Sequence, residues 1–344
     1  MSFSATLAIA LAERSWVSDS LIRYGIRKLC KKRLHSLVAS QTNRASDMGL
    51  EKAPIAVETE AANRQHYELP PAFFETVLGK HRKYSCCYWD TTTNDLNQAE
   101  HNALSLTCEH AQLEDGMTVL DLGCGWGSLT EYIATYYPNC KIMAVSNSTP
   151  QRHYIESLAD RKGFGDRVQV QTADINTFQP NKQFDRIISV EMFEHVSNHH
   201  RLFQRINNWL HPDGKLLVHI FCHQDFCYPF EITGPTDWMA EHFFTGGMMP
   251  AFKTLPAAAE GFDLADNWTW DGLHYKKTSD SWLAKMDSAQ PNIMQLFKDQ
   301  YQGAATQWWG RWRMFFLSVS ELFGFQDGKQ WQVAHFLFNP GTSR

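Results

Sequence analysis

A doubly wound α/β sheet, entered by a helical arm and covered by a helical insertion, is the fold class this sequence predicts. Short apolar runs at Lys141 to Val145, Val168 to Thr172, Phe184 to Val190 and Lys215 to Phe221 are each separated by a helix-length segment. Alternation of that kind implies parallel strands joined by right-handed crossovers. Ahead of them, glycines at 123, 125 and 127 follow the apolar Val119 and Leu120 directly, the pattern of a strand turning into a helix around a ligand.

The first 40 residues carry apolar and basic positions at helical spacing and end in a polar stretch, Ser40 to Arg64, rich in Ala, Glu, Asn and Thr. This reads as a helical arm and linker over residues 1–66, with the main domain over 67–344. Leu129 to Tyr136 reads as the helix that follows the glycine loop. Past Phe221 the alternation fails. Residues 222–325 hold Trp238, Phe243, Phe244, Trp268, Trp270, Trp282, Trp308, Trp309 and Trp312 in helical-looking stretches, read as an inserted cap whose rings are mostly core. Trp331 to Phe338 reads as a last strand returning to the sheet.

The chain has 344 residues and a formal charge of −5, a balance that argues against a nucleic-acid partner. Arg27, Lys28, Lys31, Lys32 and Arg33 nevertheless crowd into seven residues. That cluster is either a solvated helix face or a point of peripheral membrane contact. No apolar stretch approaches the roughly 20 residues that span a bilayer. Residues 5–12 are apolar but lack a preceding basic residue, so the chain reads as a soluble protein of the cytoplasm. The eight cysteines form no secreted disulfide pattern.

The spacing of the glycine loop bears on its ligand. A dinucleotide loop runs G-x-G-x-x-G, whereas Asp121 opens a D-x-G-x-G-x-G run here. A carboxylate suits a cationic ligand better than a phosphate, and S-adenosylmethionine, with its sulfonium and ammonium, fits. The alternative is a glycine-rich turn with no ligand. Ligands of such sheets gather at the carboxyl ends of the strands. There Asn147 can donate to and accept from ribose hydroxyls, Asp174 can accept from an adenine amino group, and Ile175 can cover a ring face. The polar residues among these are also ordinary turn and cap residues.

The fourth strand runs into Glu191-Met192-Phe193-Glu194-His195. If a helical turn begins there, Glu191, Glu194 and His195 face the same way, and neighbouring carboxylates with an imidazole suit proton transfer. A helix N-terminus that favours acids is the plainer reading. His219, Cys222, His223 and Cys227 match no common zinc spacing, and strand geometry puts His219 and Cys222 on opposite faces. No metal site is expected.

Tyr84-Ser85-Cys86-Cys87-Tyr88-Trp89, the loop at 121–127, Glu191 to His195, His274-Tyr275-x-x-Thr278 and Trp331-Gln332-Val333 together resemble the cyclopropane-fatty-acyl-phospholipid synthase superfamily. Within it the chain looks most like the coclaurine and pavine N-methyltransferase branch, from about Tyr67 to Phe338, with Leu21 to Arg27 fitting that branch's helical start. The resemblance implies a class I, Rossmann-like, S-adenosylmethionine-dependent methyltransferase. By it, Tyr84 and Ser85 hold the amino-acid end of the cofactor, and Gly123, with Asp121 and Gly125 beside it, meets the methionine moiety. Asn147 and Gln151 then serve the ribose, and Asp174 and Ile175 the adenine. Glu191, Glu194 and His195 fall on the catalytic cluster of the alkaloid enzymes, while Phe243, Trp308 and Trp331 are expected to shape the acceptor pocket.

The cyclopropane synthases instead hold a bicarbonate base through groups matching Cys86, Glu194 and His219. Against that reading, the synthases usually carry a small residue at the Glu191 position and a cysteine at the Ser320 position. The expected reaction is N-methylation of a small amine, with Glu194 and His195 taking its proton and Glu191 orienting or steadying the ammonium, and methyl transfer to an unsaturated lipid is the alternative enzyme. A cofactor-binding regulator without catalysis is a third class. The acceptor and the oligomeric state, a homodimer among the options, are not fixed by the sequence.

Overall fold

The computed structural model describes residues 2–40, 54–57 and 69–341. Most of the expected linker, residues 41–53 and 58–64, and the expected boundary at 66 and 67 lie outside the described residues.

The arm forms helices α1 (Ser2–Glu13) and α2 (Asp19–Ser40), followed by α3 (Pro71–Val77) and α4 (Leu96–His110). The alternating part then runs β1 (Thr118–Leu122), α5 (Ser128–Tyr136), β2 (Lys141–Ser146), α6 (Thr149–Lys162), β3 (Val168–Thr172), β4 (Phe184–Val190), α7 (His199–Trp209) and β5 (Leu210–His223). Helix boundaries follow local chemistry. Asp95 caps α4 by accepting from Gln98 N, Ser148 caps α6 by accepting from Gln151 N, and Gly163 ends α6 in the left-handed region.

After β5 come the short β6 (Tyr228–Pro229), α8 (Trp238–His242), β7 (Met248–Met249) and α9 (Thr254–Ala258). Next are β8 (Phe262–Trp270), α10 (Gly272–Ser288), α11 (Gln290–Tyr301), α12 (Ala305–Phe323) and β9 (Trp331–Pro340). The seven-stranded sheet has the order β3-β2-β1-β4-β5-β9-β8. Its first five strands pair in parallel, while β9 lies antiparallel between β5 and β8. Strand order reverses between β1 and β4, so the crevice at their carboxyl ends is where such a sheet receives a ligand.

The expected helical insertion over 222–325 is corrected at β8, which belongs to the sheet. Its sequence hides this because it is an edge strand: from Phe262 to Trp270 only Trp270 is buried, so no apolar alternation reaches the sequence. Elsewhere alternation governs both faces. Leu120, Met143, Ile187 and Leu216 pack into one core layer, and Val119, Ile142, Ile188 and Leu217 into the other. The cap is a third, aromatic core built on Phe73, Trp282, Phe297, Trp312 and Phe316.

The arm docks on α12. Gly310 lets α1 approach so closely that a Cβ there would sit 1.9 Å from the Glu13 carbonyl oxygen. Glu13 accepts from Trp238 Nε1, Gln307 and Arg311. Arg23 spans Asp280 and Glu321, and Arg313 spans Asp19 and Asp287. Among the described residues no helix is long and apolar enough to cross a membrane.

Candidate active site

The glycine loop forms the floor of a cleft of about 870 Å³, solvent mouth included, at the crevice between β1 and β4. Gly123, Gly125 and Gly127 all have positive φ, at 87°, 52° and 79°. They serve different ends. A Cβ on Gly123 would meet the Met192 side chain at 2.8 Å, and one on Gly127 would meet Ile155 at 2.7 Å, so these two allow close packing. At Gly125 a Cβ would meet nothing within 4 Å and would project into the cleft. Both Gly123 N and Cys124 N donate to the Val145 carbonyl, which ties the loop to β2.

Opposite the loop, Ser146, Asn147, Gln151, Ala173 and Ile175 line the cleft. Ser146 Oγ lies 2.5 Å from Gln151 Oε1, leaving the buried Gln151 Nε2 with no acceptor. An orphaned donor beside a loop cleared of side chains fits a nucleoside ligand. Asp121 and Asp174 do not line the cleft. Asp121 is buried beneath the loop, accepts from Thr130 Oγ1 at 2.6 Å, and burial pushes its carboxyl up to about 6. Asp174 accepts from Asn176 N and Nδ2 and shapes the turn after β3.

Sequence reasoning did not find part of the lining. Ala56 and Val57, inside the stretch read as linker, line the cleft with Thr245 and Gly246. The Ile55 carbonyl accepts from Ser197 N and Asn198 N, while Asn176 both donates to and accepts from the Ala56 backbone. Those contacts are long-range, and no local signal marks them.

At the far end of the cleft, β4 breaks into the expected cluster, but not as one helical face. Glu191 adopts φ 47°, and only Phe193–His195 forms a short 3₁₀ turn. A non-glycine residue in the left-handed region is strained and over-determined by its surroundings. Glu191 and His195 line the cleft, whereas Glu194 turns into the core. The expectation that all three share a face is therefore corrected.

Glu191 Oε1 accepts from Cys86 N at 2.9 Å and lies 3.2 Å from His219 Nε2, and Oε2 accepts from the Tyr275 hydroxyl at 2.6 Å. Burial raises its proton affinity, opposed by the Lys83 ammonium and by these donors. Glu194 Oε1 accepts from Phe221 N at 2.7 Å and its Oε2 is buried with no partner. Burial and then the charge of Glu191 hold its carboxyl well above the usual range. Of the two carboxyls, Glu194 is the one whose surroundings favour the proton more strongly, because it lacks the donors and the nearby ammonium that oppose burial at Glu191. Burial pushes His195 down to about 4, so at neutral pH its ring is uncharged.

Tyr84 and Ser85 lie behind this cluster. Ser85 Oγ accepts from the buried Lys83 Nζ at 2.6 Å, and the Tyr84 ring packs on Phe74 and Trp282. The three aromatics expected at the acceptor pocket do not line the cleft. Phe243 is stacked on Phe315 in the cap core, Trp308 is stacked on Tyr301, and Trp331 is fully buried with Nε1 donating to Tyr228. Size drew Phe243 and Trp331 into cores, while Trp308 is half-buried against the cap core. Phe244, by contrast, lies against His195 with ring centroids 5.9 Å apart. Ser320 sits at the arm junction, bonded to Arg23 and Asp280. No group of three potential metal ligands occurs among the described residues.

Compared with known proteins, residues 56–326 match the family described as mycolic acid cyclopropane synthetase. The chain belongs to that family. Among relatives, it is 35% identical to (S)-coclaurine N-methyltransferase of Thalictrum flavum subsp. glaucum, over 90% of this chain and 86% of that one. It is 29% identical to the cyclopropane-fatty-acyl-phospholipid synthase of Escherichia coli K12, over 78% and 66% respectively. A crystal structure of coclaurine N-methyltransferase bound to N-methylheliamine and S-adenosylhomocysteine superposes with a TM-score of 0.91 at 33% identity, covering 96% of this chain and 98% of that one. This family member is an S-adenosylmethionine-dependent methyltransferase with a Rossmann-like α/β fold, and S-adenosylmethionine is its cofactor.

Proposed function

We propose that the enzyme methylates the nitrogen of a small amine, of the alkaloid-like class its relatives' names indicate, with Glu191 as the proton acceptor. One observation carries this reading. The groups matching two of those that hold bicarbonate in the cyclopropane synthases, Cys86 and His219, are here turned on the Glu191 carboxylate. A built-in carboxylate thus takes up donors that a lipid-modifying relative would aim at an added base.

When bound, S-adenosylmethionine supplies a methyl group made electrophilic by its sulfonium. Gly125 keeps the cleft clear for it, Gln151 offers its spare N–H, and Ile175 gives an apolar wall. An alkyl ammonium has no lone pair to attack with, so one proton must leave it first. Glu191 draws the cation electrostatically and, with its raised proton affinity, accepts that proton more readily than an ordinary surface carboxylate would. His195, neutral and set against Phe244, positions the freed amine. Glu194, holding its own proton, keeps a second negative charge out of the site.

A lipid acceptor is the second reading, favoured by the outward face of α2, where exposed Leu21, Tyr24, Leu29 and Val38 mix with Lys28, Lys31 and Lys32. One incubation separates the two: enzyme and methyl-labelled cofactor with a panel of primary to tertiary amines and, separately, a phospholipid extract. Label in the amine fraction is the expected result. Label confined to the lipid fraction would reverse the order of the two readings.

A further inference from the structure

The cleft-lining Glu191 is the end of a file of buried histidines that crosses the sheet. His219 Nε2 lies 3.2 Å from Glu191 Oε1. His219 Nδ1 lies 2.8 Å from His335 Nε2, and His335 Nδ1 lies 2.8 Å from His110 Nδ1. The topology makes the file. His219 and His335 are directly opposed partners on antiparallel β5 and β9, so their rings share a sheet face. His110, at the end of α4, is stacked flat on Trp268 of β8 at 3.8 Å and closes the file at the sheet's far edge.

We propose that His335 and His110 are positioning residues for methyl transfer: they fix His219 as the Nε2–H tautomer and thereby hold Glu191 as an ionised acceptor. The proposal rests on the reading of Glu191 as the proton acceptor. A neutral imidazole has one N–H and one lone pair. Cys86 N and the Tyr275 hydroxyl already donate to the Glu191 carboxylate, so His219 completes the set by donating from Nε2. Its Nδ1 must then accept from His335 Nε2–H, and His335 Nδ1 must accept from His110 Nδ1–H. Three rings supply three hydrogens, each used once, and turning His219 would require turning His335 and His110 with it and would set a lone pair of His219 against the Glu191 carboxylate. With the middle ring removed, His219 can carry its hydrogen on Nδ1 and present a lone pair to the carboxylate.

The neutral state this requires agrees with the surroundings. Burial drives His219 and His335 far below their ordinary values and takes His110 to about 4. The charged and titratable groups facing the file and its carboxylate are few: Lys83 and Cys86 from the loop before α4, Tyr275 from α10, and Glu194 and His195 from the 3₁₀ turn. Asp271 acts on Cys86, and Asp266 of β8 lies near His110. The ring nitrogens bond to one another, which leaves no ligand set for a metal.

The test uses the full-length enzyme labelled with ¹⁵N-histidine, together with His335→Phe and His335→Gln. Long-range ¹H–¹⁵N correlation should show His219 protonated on Nε2 in the wild type. Without the ring, His335→Phe should raise the proton affinity of Glu191. The acid limb of kcat at saturating amine then moves up by about one pH unit, a loss of about tenfold on that limb that fades above it. His335→Gln, whose amide offers one donor and one acceptor, should restore the wild-type limb. A wild-type His219 protonated on Nδ1 would overturn the proposal without any variant having to fold. So would a kcat lowered by the same factor at every pH in His335→Phe, the mark of a merely structural role. Full activity of Glu191→Gln would instead sink the reading of Glu191 and leave the tautomer result standing.

Discussion

The two halves of the cleft are built from different materials. Along β1 to β3 the lining is backbone, small residues and neutral amides: Gly123, Gly125, Asn147, Gln151 and Ile175. Along β4 and β5 the wall is ionisable and removed from water, with Glu194, His219 and His335 each at 0% exposure behind Glu191. Neutral groups in an open crevice lose far less hydration free energy on binding than an ion does. Each buried charge costs several kcal/mol and persists only when fully partnered. The contrast teaches that the first half is made to hold a ligand and the second to control one proton.

Breaking the ionisable half has the largest expected effect. Glu191→Gln keeps the size of the side chain and removes its charge and proton acceptance, so kcat at neutral pH should fall by about a thousandfold, within the range of general-base effects. The loss should shrink as pH rises, because an amine that is already neutral needs no base. The Michaelis constant for S-adenosylmethionine should change little. A steady-state pH series measures both, and an equal loss at every pH would remove proton transfer from the account.

Breaking the neutral half has a smaller and different effect. Gly125→Val places a branched side chain in open cleft space at φ 52°, a backbone conformation costing roughly 1–3 kcal/mol for such a residue. The Michaelis constant for the cofactor should rise about tenfold or more while kcat falls far less. Titration with S-adenosylhomocysteine checks it directly. An unchanged affinity would mean that the ligand does not cross this loop.

The same division explains what could be read in the sequence. The glycine loop and the parallel strands are local patterns, and Val168–Thr172 and Phe184–Val190 occur where apolar runs place them. The edge strand Phe262–Trp270 is not legible, because one covered face leaves too few buried residues to set a period. Nor is the packing of Ile55 and Ala56, which depends on Asn176 and Asn198 more than a hundred positions away. The acidic cluster was visible as composition, yet its geometry was not. A positive φ at Glu191 and a 3₁₀ turn send Glu194 inward, and no periodicity encodes that. The file from His219 to His110 joins residues 225 positions apart at its widest link, so only strand register reveals it.

The central claim is spatial: the cofactor's methyl group and the acceptor's nitrogen meet in front of Glu191. A crystal structure of the enzyme with S-adenosylhomocysteine and a methylated amine tests it most directly. The account predicts sulfur over the Gly123 and Gly125 loop and the amine nitrogen within about 3 Å of the Glu191 carboxylate or of His195, hydrogen-bond reach for a proton acceptor. A nitrogen bound on the cap side, out of reach of both residues, would contradict it.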